Sequence, residues 1–289
     1  MKQQSRQAKV QQCMEELEKG IQDVIRSGKF REYLDFLATF HRYSFNNSLL
    51  IFLQKPDATL VKGFKQWKQH GRWVKKGEKG IRILAPIQIN VTKKKRDSNG
   101  NPILDEEGKP VTEKVKVQVY KTVSVFDVSQ TEGKEIPKVA EEIRGTSEEG
   151  EQLYQYLKEM IPIPVYEGDT GSANGYYDLK NDKIVVSDRN DRHHQLKTLL
   201  HEYVHYLLHR KGAEYEKESL QIKEAQAESI AYVVARHFGI DTQDYSFSYV
   251  AVWSQETEII QRIGTEVQQV ASRIIDEMET ARRVGPASR

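Results

Sequence analysis

The chain has 289 residues, of which 38% are hydrophobic and 30% charged, and it contains one cysteine. This composition predicts a globular protein with a polar surface, and the length fits two domains of ordinary size. A single cysteine excludes an intramolecular disulfide, and the lack of an apolar run of about 20 residues excludes a membrane-spanning helix. The N-terminus lacks the apolar segment of a signal peptide, so we expect a cytoplasmic protein.

The formal net charge of +2 is distributed unevenly along the chain. Residues 1–140 hold 27 Lys and Arg against 16 Asp and Glu, whereas residues 141–289 hold 17 against 26. Within the basic half, the stretch Lys55–Arg96 contains 13 basic residues and only two acidic ones. A basic half joined to an acidic half is typical of a nucleic-acid-binding module fused to a second domain.

The first half of the chain is predicted to be helical and then β-stranded. Hydrophobic residues recur at helical spacing in four segments, at about residues 3–27, 30–41, 46–55 and 63–71. Asn46 or Asn47 is the expected N-cap of the third helix. β-branched runs at 80–91 and 113–128 then predict two strands. The charged segment between them, about residues 93–116, is predicted to be a mobile hairpin extension.

The second half is predicted to begin after a linker at about residues 130–150. A helix, an extended segment and a hairpin are predicted next, at 151–160, 161–168 and 175–187. Three long helices complete this half, at about 188–211, 216–238 and 255–282, and Ser187 or Asp188 is the expected N-cap of the first. The chain is therefore predicted to be an α+β protein of two domains, residues 1–140 and 141–289.

A histidine–glutamate motif lies within the first of these long helices, where His201, Glu202 and His205 form an HExxH pattern. Four residues advance a helix by about 400°, so both histidines lie on one face and can reach one metal ion. Glu202 stands beside them, where it can take a proton from a metal-bound water and pass it to a leaving amine. The pattern predicts a zinc-dependent, gluzincin-like peptidase, although other divalent ions suit these ligands.

A catalytic zinc also needs a third protein ligand and one open position. Glu224 and Glu228 on the next predicted helix are the candidates, because the alanines beside them allow the two helices to approach closely. We expect one carboxylate to bind the metal and the other to orient a ligating histidine, with Glu224 slightly favoured. His209 would lie about 12 Å from His201 along a straight helix, so we expect packing rather than ligation from it.

Aromatic and basic side chains alternate in the segment Lys62–Lys79. Bases stack on tryptophan rings while cations follow the phosphates, so this pattern is typical of single-stranded nucleic-acid binding. No recognition helix for duplex DNA is evident in the sequence. Taken alone, either tryptophan is also compatible with core packing. The residues predicted to bind nucleic acid are Lys62, Lys65, Trp67, Arg72, Trp73, Lys75, Lys76 and Lys79.

These motifs resemble a known family. The segments "YSFNNSLL", "GFKQWKQHGRWVKKGEKG" and "VFDVSQTEG" are similar to the ArdC-type single-stranded-DNA-binding domain of plasmids and conjugative elements. "HEYVHYLLH" with "EAQAES" resembles the zincin-like metallopeptidases of the ArdC and ImmA/IrrE type. The resemblance implies His201 and His205 as metal ligands, Glu202 as the base, and a third ligand on the helix that carries Glu224 and Glu228.

Three functions are compatible with the sequence. The resemblance favours a single-stranded-DNA-binding zinc metallopeptidase of a mobile element, which acts in antirestriction or DNA transfer and cleaves an unidentified protein partner. The alternative is a DNA-binding protein that protects incoming strands, with a metal domain that is structural or inactive. The third is an interaction module whose acidic and basic halves contact each other or a partner, without a metal.

Overall fold

The computed structural model describes residues 2–136, 147–240 and 257–284; the middle of the predicted linker, residues 137–146, lies outside them. The fold mixes helices and short sheets, which confirms the predicted class. The helices are α1 (Lys2–Arg26), α2 (Phe30–Phe40), α3 (Phe45–Gln54), α4 (Phe64–Gln69), α5 (Ser147–Met160), α6 (Arg192–Val204), α7 (Leu220–His237) and α8 (Thr257–Val284). The strands are β1 (Val61–Gly63), β2 (Arg72–Val74), β3 (Ile81–Lys94), β4 (Thr112–Asp127), β5 (Thr131–Gly133), β6 (Val165–Gly168), β7 (Gly175–Asp178) and β8 (Lys183–Ser187).

The N-terminal part combines helices α1–α3 with a sheet in the order β1–β4–β3 and with the two-stranded sheet β2–β5. The base of β3 is buried on the helices through Ile81 and Ile83. The side-chain amide of Asn47 fixes this contact, because it donates to the Leu84 carbonyl oxygen at 2.8 Å and accepts from the Leu84 N–H at 2.9 Å. Ser44, and neither predicted asparagine, caps α3 by accepting from the Asn47 N–H.

The predicted hairpin extension is an antiparallel ribbon that runs well beyond the sheet. β3 and β4 pair without interruption from Ile81 opposite Val125 to Lys94 opposite Thr112, so β3 extends three residues beyond the predicted end at residue 91. Alternation gives the ribbon two faces, since successive residues of a strand point to opposite sides. One face carries six β-branched residues, and the other carries amides, threonines and lysines without a carboxylate. The β-branched face consists of Ile87, Ile89, Val91, Val115, Val117 and Val119.

Asp127, at the end of β4, organises the turn that joins the two N-terminal sheets. Its buried carboxylate accepts hydrogen bonds from the N–H groups of Thr59 at 2.8 Å, Leu60 at 3.0 Å and Ser129 at 2.9 Å. Burial raises the pKa of Asp127, but the hydrogen bonds outweigh burial and hold this pKa below its ordinary value. The ionised form of Asp127 is therefore the form that the fold stabilises.

The C-terminal part surrounds a small sheet in the order β6–β8–β7, in which β6 is parallel and β7 antiparallel to β8. The central strand β8 is buried, with Ile184 and Val186 inaccessible to solvent, and α6 packs against it. The hairpin β7–β8 is as predicted, and Asp182 in its turn has a positive φ of 50°. The side chain of Asp191 caps α6 by accepting from the His194 N–H, so the helix begins later than Ser187 or Asp188 would have placed it.

Helices of the N-terminal part pack directly on helices of the C-terminal part. The Tyr232 hydroxyl on α7 donates to Asp35 on α2 at 2.8 Å. On α8, Gly264 is overlain by the ring of Phe45, where a Cβ atom would clash, and the Gln268 amide donates to the His41 carbonyl oxygen at 2.5 Å. Buried side chains from both parts form one continuous core. Among the described residues, no helix has the length and apolar character needed to cross a membrane.

Replacing Asp127 with Asn should lower the free energy of unfolding at pH 7 by about 1–3 kcal/mol, because the amide cannot accept all three N–H groups. A depressed pKa stabilises the fold fully above the carboxylate's unfolded value of about 3.9, and this contribution declines as the pH falls from that value through the lower folded one. The difference between wild type and Asp127→Asn should therefore shrink at acidic pH, as measured by urea denaturation at pH 7 and pH 3.5.

Asp97→Asn is the matched control. The Asp97 carboxylate also accepts backbone N–H groups, from Asn99 and Asn101, but it is exposed near the tip of the ribbon. Its replacement should change stability by less than about 0.5 kcal/mol. Equal losses for the two variants would show that Asp127 does not have the structural role assigned to it.

Candidate metal centre and nucleic-acid surface

Helix α6 presents its histidines to α7 because its other side is buried. Leu196, Leu199 and Tyr203 pack into the core, which leaves His201 and His205 on the side that faces α7. After Val204 the backbone continues as a π-helical turn, His205–His209. Such turns widen a helix locally and are frequent at functional sites.

Three side chains meet between α6 and α7. The Nε2 atoms of His201 and His205 lie 3.0 Å apart, and the Glu224 carboxylate lies 3.3 Å from the first and 3.5 Å from the second. All three ligand atoms are within 4.8 Å of one another, and each residue is partly buried. Two imidazole nitrogens and a carboxylate oxygen around one point match the protein ligands of a His₂Glu zinc centre.

The charges of this cluster favour a bound cation. Hydrogen bonds from His201 and His205 hold the pKa of Glu224 well below its ordinary value. Burial lowers the pKa of His201, but the hydrogen bond to Glu224 and the neighbouring carboxylates outweigh burial and raise it. Two nitrogen atoms 3.0 Å apart cannot both direct lone pairs at each other without a proton or a cation between them. The residues therefore fit a divalent metal ion.

Helix α7 comes close enough to contribute Glu224 because small residues cover its inner face. Ala225, Ala227 and Ala231 are almost completely buried. Glu228 lies one turn beyond Glu224 and outside the cluster of three ligand atoms. Burial raises the pKa of Glu228, and the charge of Glu224 raises it further. Of the two carboxylates proposed from the sequence, the structure brings Glu224 into contact with both histidines.

Glu202, the residue beside His201 in the motif, is held by a hydrogen bond from the sheet. Its Oε2 atom accepts a hydrogen bond from the backbone N–H of Tyr177 on β7 at 2.8 Å. Burial raises the pKa of Glu202, and the neighbouring histidines His201 and His205 oppose this increase. A carboxyl group with a raised pKa is suited to exchange protons near neutral pH. The Tyr177 contact could not be predicted, because a backbone amide leaves no side-chain signal in the sequence.

A buried hydrogen-bonded chain continues from His205 away from the cluster. The Nδ1 atoms of His205 and His209 lie 2.9 Å apart, and the Nε2 atom of His209 lies 3.0 Å from the Gln226 side-chain oxygen. The Gln226 amide then donates to Glu266 on α8. His209, Gln226 and Glu266 are all buried. Burial lowers the pKa of His209 to about 4 and raises the pKa of Glu266. His209 lies outside the cluster of three ligand atoms.

The residues predicted to bind nucleic acid divide into surface and interior positions. Lys65, Lys75, Lys76 and Lys79 are exposed, as is Trp73, whose side chain is 52% accessible to solvent. Lys62 is partly buried. Phe64, which the predicted set omits, is 57% exposed and adds a second aromatic surface, so exposed aromatics and cations do occur together here.

Two residues of the predicted set make contacts that support the fold. Trp67 is completely buried and its indole N–H donates to the Phe126 carbonyl oxygen at 2.8 Å, so the prediction that it stacks on a base is wrong. The Arg72 guanidinium donates to the Thr131 hydroxyl and to the carbonyl oxygens of Thr131 and Lys134. These bonds join β2 to β5. The hydrophobic effect favours burial of a tryptophan ring, but spacing alone could not reveal which of the two tryptophans lies inside.

A polar cleft of about 850 Å³ lies beside the exposed lysines. The loop containing Gly77 forms one wall, where a φ of 91° requires glycine. Glu78 accepts from the Gln130 amide at 2.8 Å, which directs this acidic side chain to a neutral partner. The basic residues that line the cleft are Lys55, Lys76, Lys79 and Arg82.

Two family models match separate parts of the chain. The model of the N-terminal domain of the anti-restriction factor ArdC matches residues 3–126. The model of the IrrE N-terminal-like domain, peptidase family M78, matches residues 159–274. The chain therefore consists of two domains, as predicted.

Two curated relatives share this region. The chain is 27% identical over 267 residues to protein pXO2-81 of Bacillus anthracis, a match covering 83% of this chain and 45% of the relative. It is 28% identical over 236 residues to DNA primase TraC of Escherichia coli, covering 73% of this chain and 15% of the relative. The chain thus spans less than half the length of either relative.

Solved structures of the antirestriction protein ArdC from plasmid R388 have the same fold. The metal-free structure has a TM-score of 0.56 at 19% identity, covering 82% of this chain and 86% of that one. The Mn(II)-bound structure has a TM-score of 0.51 at 19% identity, covering 82% and 84%. Taken with the two domain matches, these comparisons show a chain in which a domain similar to the ArdC N-terminal domain precedes an IrrE-like domain, on the fold that the ArdC structures share.

Proposed function

We propose that the protein is a single-stranded-DNA-binding zinc metallopeptidase of a mobile element, which acts in the cytoplasm in antirestriction or DNA transfer. The observation that supports the peptidase activity is the cluster of His201, His205 and Glu224 beside the partly buried Glu202. Among the described residues, it is the one group of histidines, cysteines and acids close enough to hold a metal ion.

His201, His205 and Glu224 would hold the ion, and when bound it would act as a Lewis acid that polarises the scissile carbonyl and acidifies a water molecule. Two imidazoles and one carboxylate suit zinc, and they leave a further position for substrate or water. We propose that Glu228 acts on His201 rather than on the metal ion, because its negative charge raises the pKa of His201. The carboxylate of Glu228 then raises the proton affinity of a ligand without contacting the ion.

Glu202 is the residue we assign to proton transfer. The Tyr177 amide holds Oε2, so the atom that accepts a proton from the attacking water, and later returns it to the leaving amine, is Oε1. Burial raises the pKa of this carboxyl group, which reduces the free-energy difference between its two protonation states near neutral pH. A fixed orientation and a raised pKa are the two properties that a general base requires.

The nucleic-acid site that we propose is the exposed surface formed by Phe64, Trp73 and the lysines beside the polar cleft. Aromatic rings accept stacked bases, and the lysines neutralise phosphates along the same strand. The chemistry favours a single strand, because the bases must be unpaired to stack on protein rings. The support consists of two exposed aromatic residues, Trp73 at 52% and Phe64 at 57%, in the same segment of the chain as Lys76 and Lys79, which line a cleft with four basic residues.

Wild-type protein should copurify with or bind one equivalent of zinc, as measured by elemental analysis and titration. His201→Ala and Glu224→Ala should lose most of this metal, because each removes a ligand atom. Glu228→Ala should retain it, and this variant is the matched control on the same helix. Metal loss in Glu228→Ala with retention in Glu224→Ala would reverse the assignment of the third ligand.

Glu202→Gln should abolish peptide hydrolysis while zinc content and DNA affinity remain at wild-type levels, since glutamine keeps the hydrogen bond from Tyr177 but cannot carry the proton. A casein-type general substrate and mass spectrometry of products provide the measurement. If this variant still protects incoming DNA in a transfer assay, protection depends on DNA binding and the metal domain contributes no cleavage to it. Full hydrolysis by Glu202→Gln would contradict the role of Glu202.

Trp73→Ala should weaken binding of a fluorescent oligo(dT) by about 1–3 kcal/mol without changing the melting temperature, because it removes an exposed stacking surface. Binding should weaken with salt, and Lys76→Ala should reduce the slope of log K against log salt by about 0.7. Tyr166→Ala is the control, since Tyr166 is a comparably exposed aromatic residue on β6. Unchanged affinity in Trp73→Ala, or equal affinity for duplex DNA, would exclude the proposed surface.

A further inference from the structure

We infer that His209, Gln226 and Glu266 form a one-directional hydrogen-bonded chain that fixes His205 in the tautomer required for metal binding. This inference rests on the metal centre proposed above and assigns three positioning residues outside it. The chain runs from α6 through α7 to α8, and its ends are His205 in the cluster and Glu266 on α8.

The direction follows from the donor and acceptor capacity of each group. A carboxylate oxygen of Glu266 accepts, so the facing Gln226 nitrogen donates and the Gln226 oxygen, at the other end of the amide, accepts. That oxygen lies 3.0 Å from Nε2 of His209, which must then carry a proton. A neutral His209 consequently has an unprotonated Nδ1, and this atom accepts the proton that His205 carries on its own Nδ1.

The consequence for His205 is a free lone pair on Nε2, the atom that faces His201 and Glu224. If the chain ran in the opposite direction, His205 would carry its proton on Nε2, pointing into the cluster and blocking ligation. The opposite direction would also require Glu266 to carry a proton on Oε2 and donate it to Gln226, with the Arg262 guanidinium 3.7 Å from the other carboxylate oxygen, Oε1. The observed arrangement is therefore the one that leaves the metal ligand ready to bind.

Burial strengthens the hydrogen bonds that link His205 to Glu266. His209 is 5% exposed, Gln226 is inaccessible and Glu266 is 6% exposed, so water cannot compete for the three hydrogen bonds. Hydrogen bonds in such surroundings are stronger and polarise one another. A ligating histidine usually donates its second N–H to a carboxylate or carbonyl group, and this contact commonly affects metal affinity by about 10- to 100-fold. Here a histidine and an amide transmit the influence of a carboxylate on another helix.

The test compares His209→Phe, Glu266→Gln and the double variant with wild type. Zinc affinity is measured by competition with a chromophoric chelator, and the Co(II) absorption spectrum reports the ligand geometry. We expect His209→Phe to weaken zinc binding by about 10- to 100-fold and to alter the Co(II) spectrum. Glu266→Gln should have a smaller effect, and the double variant should bind zinc no more weakly than His209→Phe, since a broken chain transmits nothing.

His237→Phe is the matched control. His237 is another histidine near a helix end that bonds to a carbonyl oxygen and to a carboxylate, through Ala38 at 2.9 Å and Glu279 at 3.0 Å, but it does not touch the cluster. Its replacement should leave zinc affinity unchanged. His209→Asn restores an acceptor opposite His205 and should recover part of the lost affinity, which a purely packing role would not produce.

The possible outcomes distinguish failure of the proposed metal centre from failure of the proposed hydrogen-bonded chain. Failure of the wild type to bind zinc would overturn the proposed metal centre itself. Zinc binding by the wild type with equal affinity in His209→Phe would overturn the hydrogen-bonded chain alone. Additive losses in the double variant would show that His209 and Glu266 act independently, and would also overturn it. Urea denaturation of the metal-free variants verifies that each one is folded when its affinity is measured.

Discussion

The close approach of α6 and α7 is the constraint on which the C-terminal site depends. Three ligand atoms within 4.8 Å of one another are possible only because alanines on the inner face of α7 let its backbone come near α6. Gathering two imidazoles and a carboxylate in a partly buried space costs desolvation free energy. Apolar packing of both helices against the core offsets this cost, and a bound cation would compensate the charge. The position of the three ligand residues is thus determined by the packing of the two helices.

Helix α8 connects the C-terminal site with the helices of the N-terminal part. Its central segment contacts the N-terminal helices through Gly264 and Gln268, and between these two residues Glu266 faces the metal centre through Gln226. One helix therefore supports both the domain interface and the second ring nitrogen of His205. Displacement of α8 would disturb the two together, so the stability of the interface and the affinity of the metal site share a common structural element.

Features that depend on the local periodicity of the sequence were predicted best. Helical and strand segments, the HExxH face and the carboxylate pair on the following helix all arise from spacing along the chain, and the structure has them nearly as predicted. Spacing could not show that Trp67 lies inside while Trp73 lies outside, because both belong to the same basic stretch. It also could not connect Glu266 with His209, since hydrogen bonds between residues far apart in sequence form only when helices pack. A buried polar residue within the apolar stripe of α8 was the available signal.

Under the proposed function, the charges around the candidate metal centre bear on which polymer it would act on. Glu202, Glu224 and Glu228 surround the histidines within a half of the chain that is acidic overall. Phosphodiester groups would be repelled from such a site, whereas a neutral peptide carbonyl would not. The basic N-terminal half carries the surface that we propose for a nucleic acid. Under the proposed function, the division of charge would separate the two ligands, with the strand on the lysines and the peptide at the carboxylates.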